Sequence, residues 1–285
     1  MIVACGQCVG CRISRSQEWM IRCVHEAQMH DDNSFLTLTF NNDHLPCDRS
    51  ISVRDLQLFM KRVRKKYGNN IRFFACGEYG EPELITDGNL GRPHYHLLIF
   101  GLDFGDKYPW ELRRGNLLYR SESLEQLWPY GFSTIGSLTT QSAGYVARYI
   151  LKKVTGEVAD DHYVWQDPDD GEIFWREPEF VTMSRGRLVN PDGSPGVGGI
   201  GDPWLKEYAY TDAWHQDYVV LDNRKYPVPR FYQKRLEKLG PTLYAANRGK
   251  RKRAALTRKI DNTRERLAAR ERVMLGRLGQ LKREL

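Results

Sequence analysis

GRPHYHLLIFG, residues 91–101, is a short aliphatic stretch with two histidines near its start and a glycine at each end. Its length and its apolar residues are typical of a buried β-strand. Alternate side chains of a strand share one face, so His94 and His96 point the same way, whereas Tyr95 points into a core. The stretch therefore predicts a strand that carries a polar pair on one face of a sheet.

Strand-like and helix-like patterns alternate on both sides of this stretch. Three further strands are predicted, at residues 34–40, 71–81 and 132–138. Ser52 and Ser142 are predicted to cap two of the helices. Because neighbouring strands are joined by short loops, the pattern favours an α+β sheet over a doubly wound one. Helices are predicted at residues 11–30, 53–67, 123–131, 142–156 and 230–244, and a long basic helix from about residue 247.

The bulk composition excludes several classes of protein. The chain has 285 residues, of which 41% are hydrophobic, enough for one sizeable core. No apolar run approaches the length that spans a bilayer, and the N-terminal MIVACGQCVGCR does not resemble a signal peptide. Six cysteines, three of them within seven residues, do not match the disulfide framework of a secreted protein. We therefore expect a soluble intracellular protein without a membrane partner.

The net charge of +7 is concentrated in the last part of the chain. Residues 248–285 contain 14 Lys or Arg and 4 Asp or Glu, a net charge of +10, so the other 247 residues carry −3. A concentrated cationic segment is typical of a protein that binds a polyanion, and a solvated amphipathic helix is the alternative. The residues predicted to contact DNA are Arg248, Lys250, Arg251, Lys252 and Arg253.

His94 and His96 can converge on one metal ion from the same face of their strand. A third ligand is expected from Glu78, because strand 71–81 would end beside the start of the histidine strand if the two are antiparallel neighbours. Glu81 is the second candidate. Two imidazoles and a carboxylate without a thiolate suit Mn²⁺ or Mg²⁺, with open positions for substrate oxygens. The alternative is a pair of structural histidines beside a solvated carboxylate.

YVARYILKK, residues 145–153, places Tyr145 and Tyr149 four residues apart, so their hydroxyl groups share one face of a helix. Arg148 and Lys152 each lie three residues after a tyrosine, and a neighbouring cation favours the phenolate. Together with a metal site, two tyrosines suit phosphoryl transfer, in which a tyrosine attacks a phosphodiester that the metal polarises. The alternative is that both tyrosines are packing residues.

The motifs PHYHLLIF and YVARYILKK resemble those of the HUH endonuclease superfamily, in its two-tyrosine rolling-circle branch. FLTLTF, residues 35–40, is similar to the first-strand motif of those initiators. The resemblance to the replication initiation proteins of gokushovirus-type microviruses, small single-stranded DNA phages, extends in patches from Cys5 to about Tyr232. The segments that carry it are CGQCVGCR, HEAQMH, GEYGE, GRPHYHLLIFG, YVARYILKK and PVPRFY.

This resemblance implies an antiparallel sheet flanked by helices, with the histidine strand at its centre. Such proteins nick the origin of double-stranded replicative DNA, remain attached to the 5′ end, and later cut and circularise the displaced single strand. The sequence contains no convincing Walker motif, so we expect a host helicase and the host replication machinery as partners, in the bacterial host cytoplasm. The site residues that the resemblance implies are the metal ligands His94, His96 and Glu78, the nucleophiles Tyr145 and Tyr149, and the basic residues Lys152 and Arg148.

Two other functions stay open on the sequence. The first is a non-catalytic origin- or RNA-binding protein, in which the histidines are structural and the basic tail binds the nucleic acid. The second is a plasmid-type initiator or a transposase that uses a single tyrosine. The Tyr-x3-Tyr spacing with its flanking cations disfavours the first, because binding alone requires no such pair.

Cys5, Cys8 and Cys11 form a C-x2-C-x2-C motif, whose spacing lets three thiolates wrap around one ion. A structural Zn²⁺ site and a set of reduced structural thiols are the two main interpretations. An iron–sulfur cluster is disfavoured, because no fourth cysteine follows at the spacing that such clusters use.

The fourth ligand of a zinc site would have to come from elsewhere in the chain. Cys23 and His25 are excluded if one helix follows the motif, because Cys23 would then lie roughly 18 Å from Cys11. Cys47 and Cys76, brought in by folding, are the better candidates.

The composition divides the chain into four predicted parts. Residues 1–30 are a cysteine-rich segment with a helix, and residues 31–156 are the nuclease core. Residues 157–246, in which Asp, Gly and Pro are frequent, are a loop-rich extension packed on that core. Residues 247–285 are the basic C-terminal helix.

Overall fold

A computed structural model describes residues 5–82, 90–149, 153–186, 196–257 and 259–280, of which 259 and 260 are described by their backbone alone. A π-helical turn, Tyr210–Trp214, follows α6. The α-helices within these ranges are α1 (Val9–Ala27), α2 (Val53–Tyr67), α3 (Glu122–Leu127), α4 (Thr140–Arg148), α5 (Ala159–Tyr163), α6 (Asp202–Ala209), α7 (Arg230–Leu239), α8 (Pro241–Thr257) and α9 (Arg264–Gln280). The strands are β1 (Asn33–Phe40), β2 (Arg72–Tyr79), β3 (Pro93–Phe100), β4 (Tyr108–Arg113), β5 (Asn116–Arg120), β6 (Gly131–Gly136), β7 (Val164–Gln166), β8 (Ile173–Trp175), β9 (Phe180–Met183), β10 (Tyr218–Leu221) and β11 (Arg224–Pro227).

The main sheet is antiparallel and contains seven of the described strands, in the order β4-β5-β6-β1-β3-β2-β9. The histidine strand β3 lies inside this sheet, with β1 on one side and β2 on the other. The prediction of an α+β fold with helices around a central antiparallel sheet is confirmed. The four predicted strands correspond to β1, β2, β3 and β6.

Helices cover both faces of the sheet. One face packs against α2 and α3 in a core that includes Tyr95, Leu97 and Trp128. The other face packs against α1 and α4 through residues such as Leu98 and Phe100. A strand buried on both faces needs apolar residues at nearly every position, which explains the unbroken aliphatic run after the histidines.

The predicted ends of helix α2 are confirmed, whereas those of α4 are partly wrong. The Ser52 side chain accepts a hydrogen bond from the Arg54 N–H at the start of α2. For α4, Thr139 rather than Ser142 is the N-cap, because Ser142 lies at the third helical position and completes a capping box with Thr139. Helix α4 ends with Tyr149 as its C-cap, several residues before the predicted end at residue 156.

Residues 157–246 contain more regular structure than the predicted loop-rich extension. Strand β9 pairs with β2 and so becomes an edge of the main sheet. Helices α1, α6 and α7 and strand β10 surround a further core that includes Trp204, Trp214 and Tyr232. This part of the chain is therefore continuous with the sheet and with α1 through buried contacts.

The long C-terminal helix predicted from residue 247 is interrupted. Helix α8 begins earlier, at Pro241, and a short 3₁₀ turn, Lys259–Asn262, separates it from α9. A new helix start explains the break, because the Thr263 side chain accepts a hydrogen bond from the Arg266 N–H. Within the ranges given above, no helix combines the length and the apolar composition that crossing a membrane requires.

Candidate metal centre and tyrosine pair

The register of the central sheet brings one carboxylate beside the two histidines. In the β2–β3 pairing Glu78 lies opposite His94, as expected for antiparallel neighbours. Glu78 and His96 are buried, and His94 is half-buried at the mouth of the strand. Glu81, the second candidate, is exposed beyond the end of β2 and does not join this group. We call Glu78, His94 and His96 the sheet triad.

The ligand atoms of the sheet triad converge on one point. Glu78 Oε1 lies 2.7 Å from His94 Nε2 and 2.9 Å from His96 Nε2. Ligands at adjacent corners of an octahedral site with bonds of about 2.1 Å would be about 3.0 Å apart. The observed separations therefore fit a single divalent cation, and the sheet triad could hold one.

Each histidine is oriented through its other ring nitrogen. His94 Nδ1 lies 3.1 Å from the Arg92 carbonyl oxygen, and His96 Nδ1 lies 3.0 Å from Thr37 Oγ1 on β1. Partners of this kind fix the ring orientation of metal-binding histidines. Because a carbonyl oxygen only accepts hydrogen bonds, His94 carries a proton on Nδ1, and its neutral ring presents the Nε2 lone pair to Glu78.

This arrangement requires a positive charge between His94 and Glu78. A lone pair facing a carboxylate oxygen at 2.7 Å is repulsive unless a second ring proton or a shared cation lies between them. Burial would raise the pKa of Glu78, but hydrogen bonds from His94 and His96 bring it below its usual value, so Glu78 is ionised. The donor set therefore suits a divalent cation, which would replace the protons on Nε2.

Both tyrosines at the end of α4 pack against His96. The Tyr145 ring meets the His96 ring edge-on, with 5.1 Å between centroids, and the Tyr149 ring stacks on it at 5.5 Å. The two tyrosine rings are 4.9 Å apart. The four-residue spacing thus brings both phenols to the same side of the sheet triad.

The environment of the tyrosines differs from the one that the flanking cations suggest. Burial raises the pKa of Tyr145 and of Tyr149 well above the usual value, and the charge of Glu78 raises both further. The Arg148 guanidinium lies 5.8 Å from the centre of the Tyr145 ring, and it lowers the pKa by less than burial raises it. The expected cation effect on Tyr145 is therefore outweighed by desolvation, and Lys152 lies outside the described residues.

Sequence reasoning missed two side chains near the sheet triad. Thr37 lies opposite His96 in the β1–β3 pairing and contacts its ring nitrogen. Cys76 precedes Glu78 by two residues and is buried in the same core as the two tyrosines. The period-two pattern of β2 could have placed Cys76 on the Glu78 face, whereas the partner of Thr37 depends on strand order.

The N-terminal cysteines form a second group of ligand atoms. The Sγ atoms of Cys5, Cys8 and Cys11 lie within 4.8 Å of one another at the start of α1. Cys5 and Cys8 are exposed, and Cys11 is half-buried. Neither predicted fourth ligand joins them, because Cys47 lies in an exposed loop and Cys76 is buried in the sheet. We call Cys5, Cys8 and Cys11 the thiol cluster.

The basic residues predicted to contact DNA lie on α8. Arg251 is half-buried, and its Nε lies 3.3 Å from a carboxylate oxygen of Asp217. The other cations of this group are exposed, so their charge faces solvent. These exposed residues are Arg248, Lys250, Lys252 and Arg253.

Comparison with known proteins places the central part of the chain in one family. Residues 33–154 match the family described as replication-associated protein ORF2. This part of the chain belongs to that family. The matched residues run from β1 to beyond α4, so the family segment includes the sheet triad and both tyrosines.

Relatives of the whole chain come from phages of bacteria. The chain is 34% identical over 241 residues to the replication-associated protein VP4 of Bdellovibrio phage phiMH2K, covering 80% of this chain and 65% of that protein. It is 34% identical over 249 residues to the replication-associated protein ORF4 of Chlamydia phage 1, covering 82% of this chain and 53% of that protein. For the replication-associated protein ORF2 of Spiroplasma virus 4 the identity is 28% over 250 residues, with 83% and 68% covered.

These similarities confirm the predicted resemblance to replication-associated proteins of phages. The chain spans less than two thirds of the length of the first two relatives, at 65% and 53%. No solved structure matches the chain.

Proposed function

We propose that this chain initiates rolling-circle DNA replication by nicking origin DNA through a covalent 5′-phosphotyrosine intermediate and later rejoining the strand. Membership of residues 33–154 in the replication-associated protein family and the phage relatives support a role in replication. The observation that carries the enzymatic part is the packing of Tyr145 and Tyr149 against His96 of the sheet triad. Two nucleophiles beside converging metal ligands suit transesterification at phosphorus.

The chemistry exchanges one phosphodiester for another. A tyrosine oxygen forms a bond to phosphorus while the bond from phosphorus to the 3′ oxygen breaks. The tyrosine gives up its proton, and the departing oxygen ends as a free 3′-hydroxyl group. Because the phosphotyrosine retains the bond energy, a 3′-hydroxyl can attack it and restore a DNA strand. The second tyrosine allows a second cleavage while the first DNA end is still held.

We assign Glu78, His94 and His96 to a divalent metal, Mn²⁺ or Mg²⁺, because two imidazoles and a carboxylate without thiolates match these ions. When bound, such an ion would polarise the scissile phosphate and offset the charge of Glu78. Glu78 is one cause of the raised pKa of Tyr145 and Tyr149, so its neutralisation favours the phenolate. The larger cause is burial, and we infer that the end of α4 moves outward when DNA enters.

The exposed cations of α8 would bind the DNA backbone without reading its sequence. Each phosphate that a lysine or arginine neutralises releases counterions, so binding weakens as salt increases. The partners we propose are single-stranded DNA and the origin of double-stranded replicative DNA. Strand separation is left to a host helicase, and the place of action is the bacterial host cytoplasm.

Covalent adduct formation tests the enzymatic proposal. The full chain is incubated with labelled single-stranded or supercoiled phage origin DNA and Mn²⁺ or Mg²⁺, denatured, and examined for a protein–DNA band. We expect a band that EDTA abolishes. Tyr145→Phe and Tyr149→Phe should each leave some adduct, whereas the double variant should form none, because no nucleophile remains beside the sheet triad.

Tyr130→Phe is the matched control, because Tyr130 is half-buried against Trp128 in the core on the other face of the sheet. This variant should form adduct at the wild-type level. An adduct that survives in the double tyrosine variant would assign the nucleophile to another residue. Intact DNA binding without an adduct under any of these conditions would instead support a non-catalytic origin-binding protein.

The salt dependence of binding tests the role of α8. Replacing the four exposed cations by Gln should reduce the slope of log K against log salt by up to ~3 on single-stranded DNA, at about 0.7 per lost phosphate contact. Arg251→Gln is the control, because Arg251 already pairs with Asp217. An unchanged slope in the fourfold variant would remove α8 from the DNA interface. Deletion of residues 248–285 should weaken binding and flatten the slope further.

A further inference from the structure

The thiol cluster has no part in the proposed nicking reaction, yet its three sulfur atoms are gathered as a metal site requires. Cys5 Sγ and Cys11 Sγ are 3.9 Å apart, and Cys8 Sγ completes the group. In a tetrahedral zinc site with Zn–S bonds of about 2.3 Å, neighbouring sulfur atoms are about 3.8 Å apart. The observed separation is thus the one that two ligands of a single zinc ion adopt.

The start of helix α1 favours negatively charged sulfur. The helix begins after Cys8 without a side-chain cap and without an acidic residue in its first turn. Its positive end is therefore available to thiolates. The Cys8 N–H also donates a hydrogen bond to Cys5 Sγ at 3.2 Å. Backbone hydrogen bonds of this kind lower the pKa of Cys5 to about 7.

Three thiolates this close repel one another, and a cation removes that repulsion. The effect is visible at Cys8: a hydrogen bond from the Cys11 backbone lowers its pKa, but the side chains of Cys11 and Cys5 raise it by more. A divalent ion between the three sulfur atoms would allow all of them to ionise. The cluster therefore gains most from a soft divalent metal, for which thiolates are the preferred ligands.

The other interpretations of the motif fit less well. Cys5 and Cys8 are exposed, so they do not serve as packing residues. A sulfur–sulfur distance of 3.9 Å is far beyond the ~2.0 Å of a disulfide. Iron–sulfur clusters use four protein ligands, and three cysteines are gathered within the described part of the chain.

We propose that Cys5, Cys8 and Cys11 hold one zinc ion at the N-terminal end of α1. Within the described ranges these are the three protein ligands, so water or a residue outside those ranges supplies the fourth. The site is separate from the sheet triad in composition and in preference, since thiolates select zinc and the triad selects harder ions.

The zinc ion would fix the end of α1 that contacts the segment following the tyrosines. Arg12, one residue after Cys11, donates a hydrogen bond from Nη2 to the Lys153 carbonyl oxygen at 2.9 Å. Further along, α1 packs closely on α4, where a Cβ atom at Gly144 would lie 3.3 Å from Met20 Sδ. Helix α1 therefore braces α4 from its middle and from its first turn, and zinc would secure the first turn.

Metal content and cobalt spectroscopy test the site. The full chain, purified without added metal, should contain one zinc ion per molecule by mass spectrometry. Cys8→Ser should lose it. Cys47→Ser is the matched control, because it removes an exposed thiol outside the cluster. His94→Ala should also retain zinc, which separates the thiol cluster from the sheet triad. Replacement by Co²⁺ should give the near-ultraviolet sulfur-to-cobalt charge-transfer band, since the sheet triad contains no sulfur.

Either of two results would overturn the proposal. The first is wild-type protein that shows no charge-transfer band with Co²⁺. The second is zinc that follows the triad, lost in His94→Ala and kept in Cys8→Ser. Should Cys8→Ser fail to fold, the cobalt spectrum of the wild-type chain decides the question alone. These readouts do not depend on DNA cleavage, so they stand or fall separately from the proposed nicking activity.

Discussion

The sheet triad and the thiol cluster are both groups of three ligand atoms, but they are built in opposite ways. The triad takes Glu78 from β2 and its histidines from β3, and the pairing of two strands brings them together. The thiol cluster takes all three residues from one turn before α1. The triad is buried between helices, whereas two thiols of the cluster are exposed.

The difference shows how each site depends on the rest of the molecule. The triad is fixed by a ladder of backbone hydrogen bonds and by Thr37 on a third strand, so its positions are set before any ion binds. The thiol cluster is held by a short loop, and an ion would have to supply much of its order. A preformed site on strands suits catalysis, whereas a site ordered by its metal suits structural support.

The largest expected difference between the two sites is in covalent adduct formation with origin DNA. His96→Ala should reduce the rate by about 100-fold or more, because it removes a metal ligand and the ring on which both tyrosines pack. Cys8→Ser should reduce it by no more than about tenfold, since its sulfur acts only through α1. The measurement is the initial rate of adduct formation on a denaturing gel.

His44→Ala is the control for the change from histidine to alanine, because His44 is exposed and contacts Asn41. It should leave the rate unchanged. Equal losses in the His96 and Cys8 variants would contradict the distinction between a catalytic and a supporting site.

The support of His96 by Thr37 should have a smaller effect. Thr37→Val removes the hydroxyl group 3.0 Å from His96 Nδ1 and keeps the shape of the side chain. We expect an affinity for Mn²⁺ about 10–100-fold lower, measured by calorimetry, because such partners orient metal-binding histidines. Thr39→Val makes the same change two residues along β1 and serves as the control. Equal affinities of the Thr37 variant and the wild type would indicate that the sheet alone orients His96.

Hydrogen exchange should give the smallest difference and the most local one. Removal of zinc with a chelator should speed amide exchange at residues 8–12 by about tenfold, equivalent to ~1.4 kcal/mol of local stability. Exchange at residues 96–99 should not change, because strand pairing on both sides of β3 protects those amides. Chelation that speeds exchange equally in both segments would mean that the triad, too, is ordered by its metal.

Much of the fold could be predicted from particular residues. The alternation in PHYHLLIF separated the histidine face from the Tyr95 face, and both assignments agree with the two cores of the sheet. Ser52 and Gly68 gave the bounds of α2 because capping is a local effect. The capping of α4 was mispredicted, because Thr139 and Ser142 both have hydroxyl groups at suitable positions, and the choice depends on where the chain leaves β6.

The sequence by itself determined which residues have the chemistry: a histidine pair on one face of a strand, two tyrosines four apart, and three closely spaced cysteines. These are local features, because period and spacing fix them within one element. The tertiary structure decided what these residues meet. Sheet order put Thr37 beside His96, packing buried both tyrosines and raised their pKa, and Cys76 went to the core rather than to the thiol cluster. Such outcomes depend on contacts between elements distant in sequence, where burial and strand order outweigh the properties of any single segment.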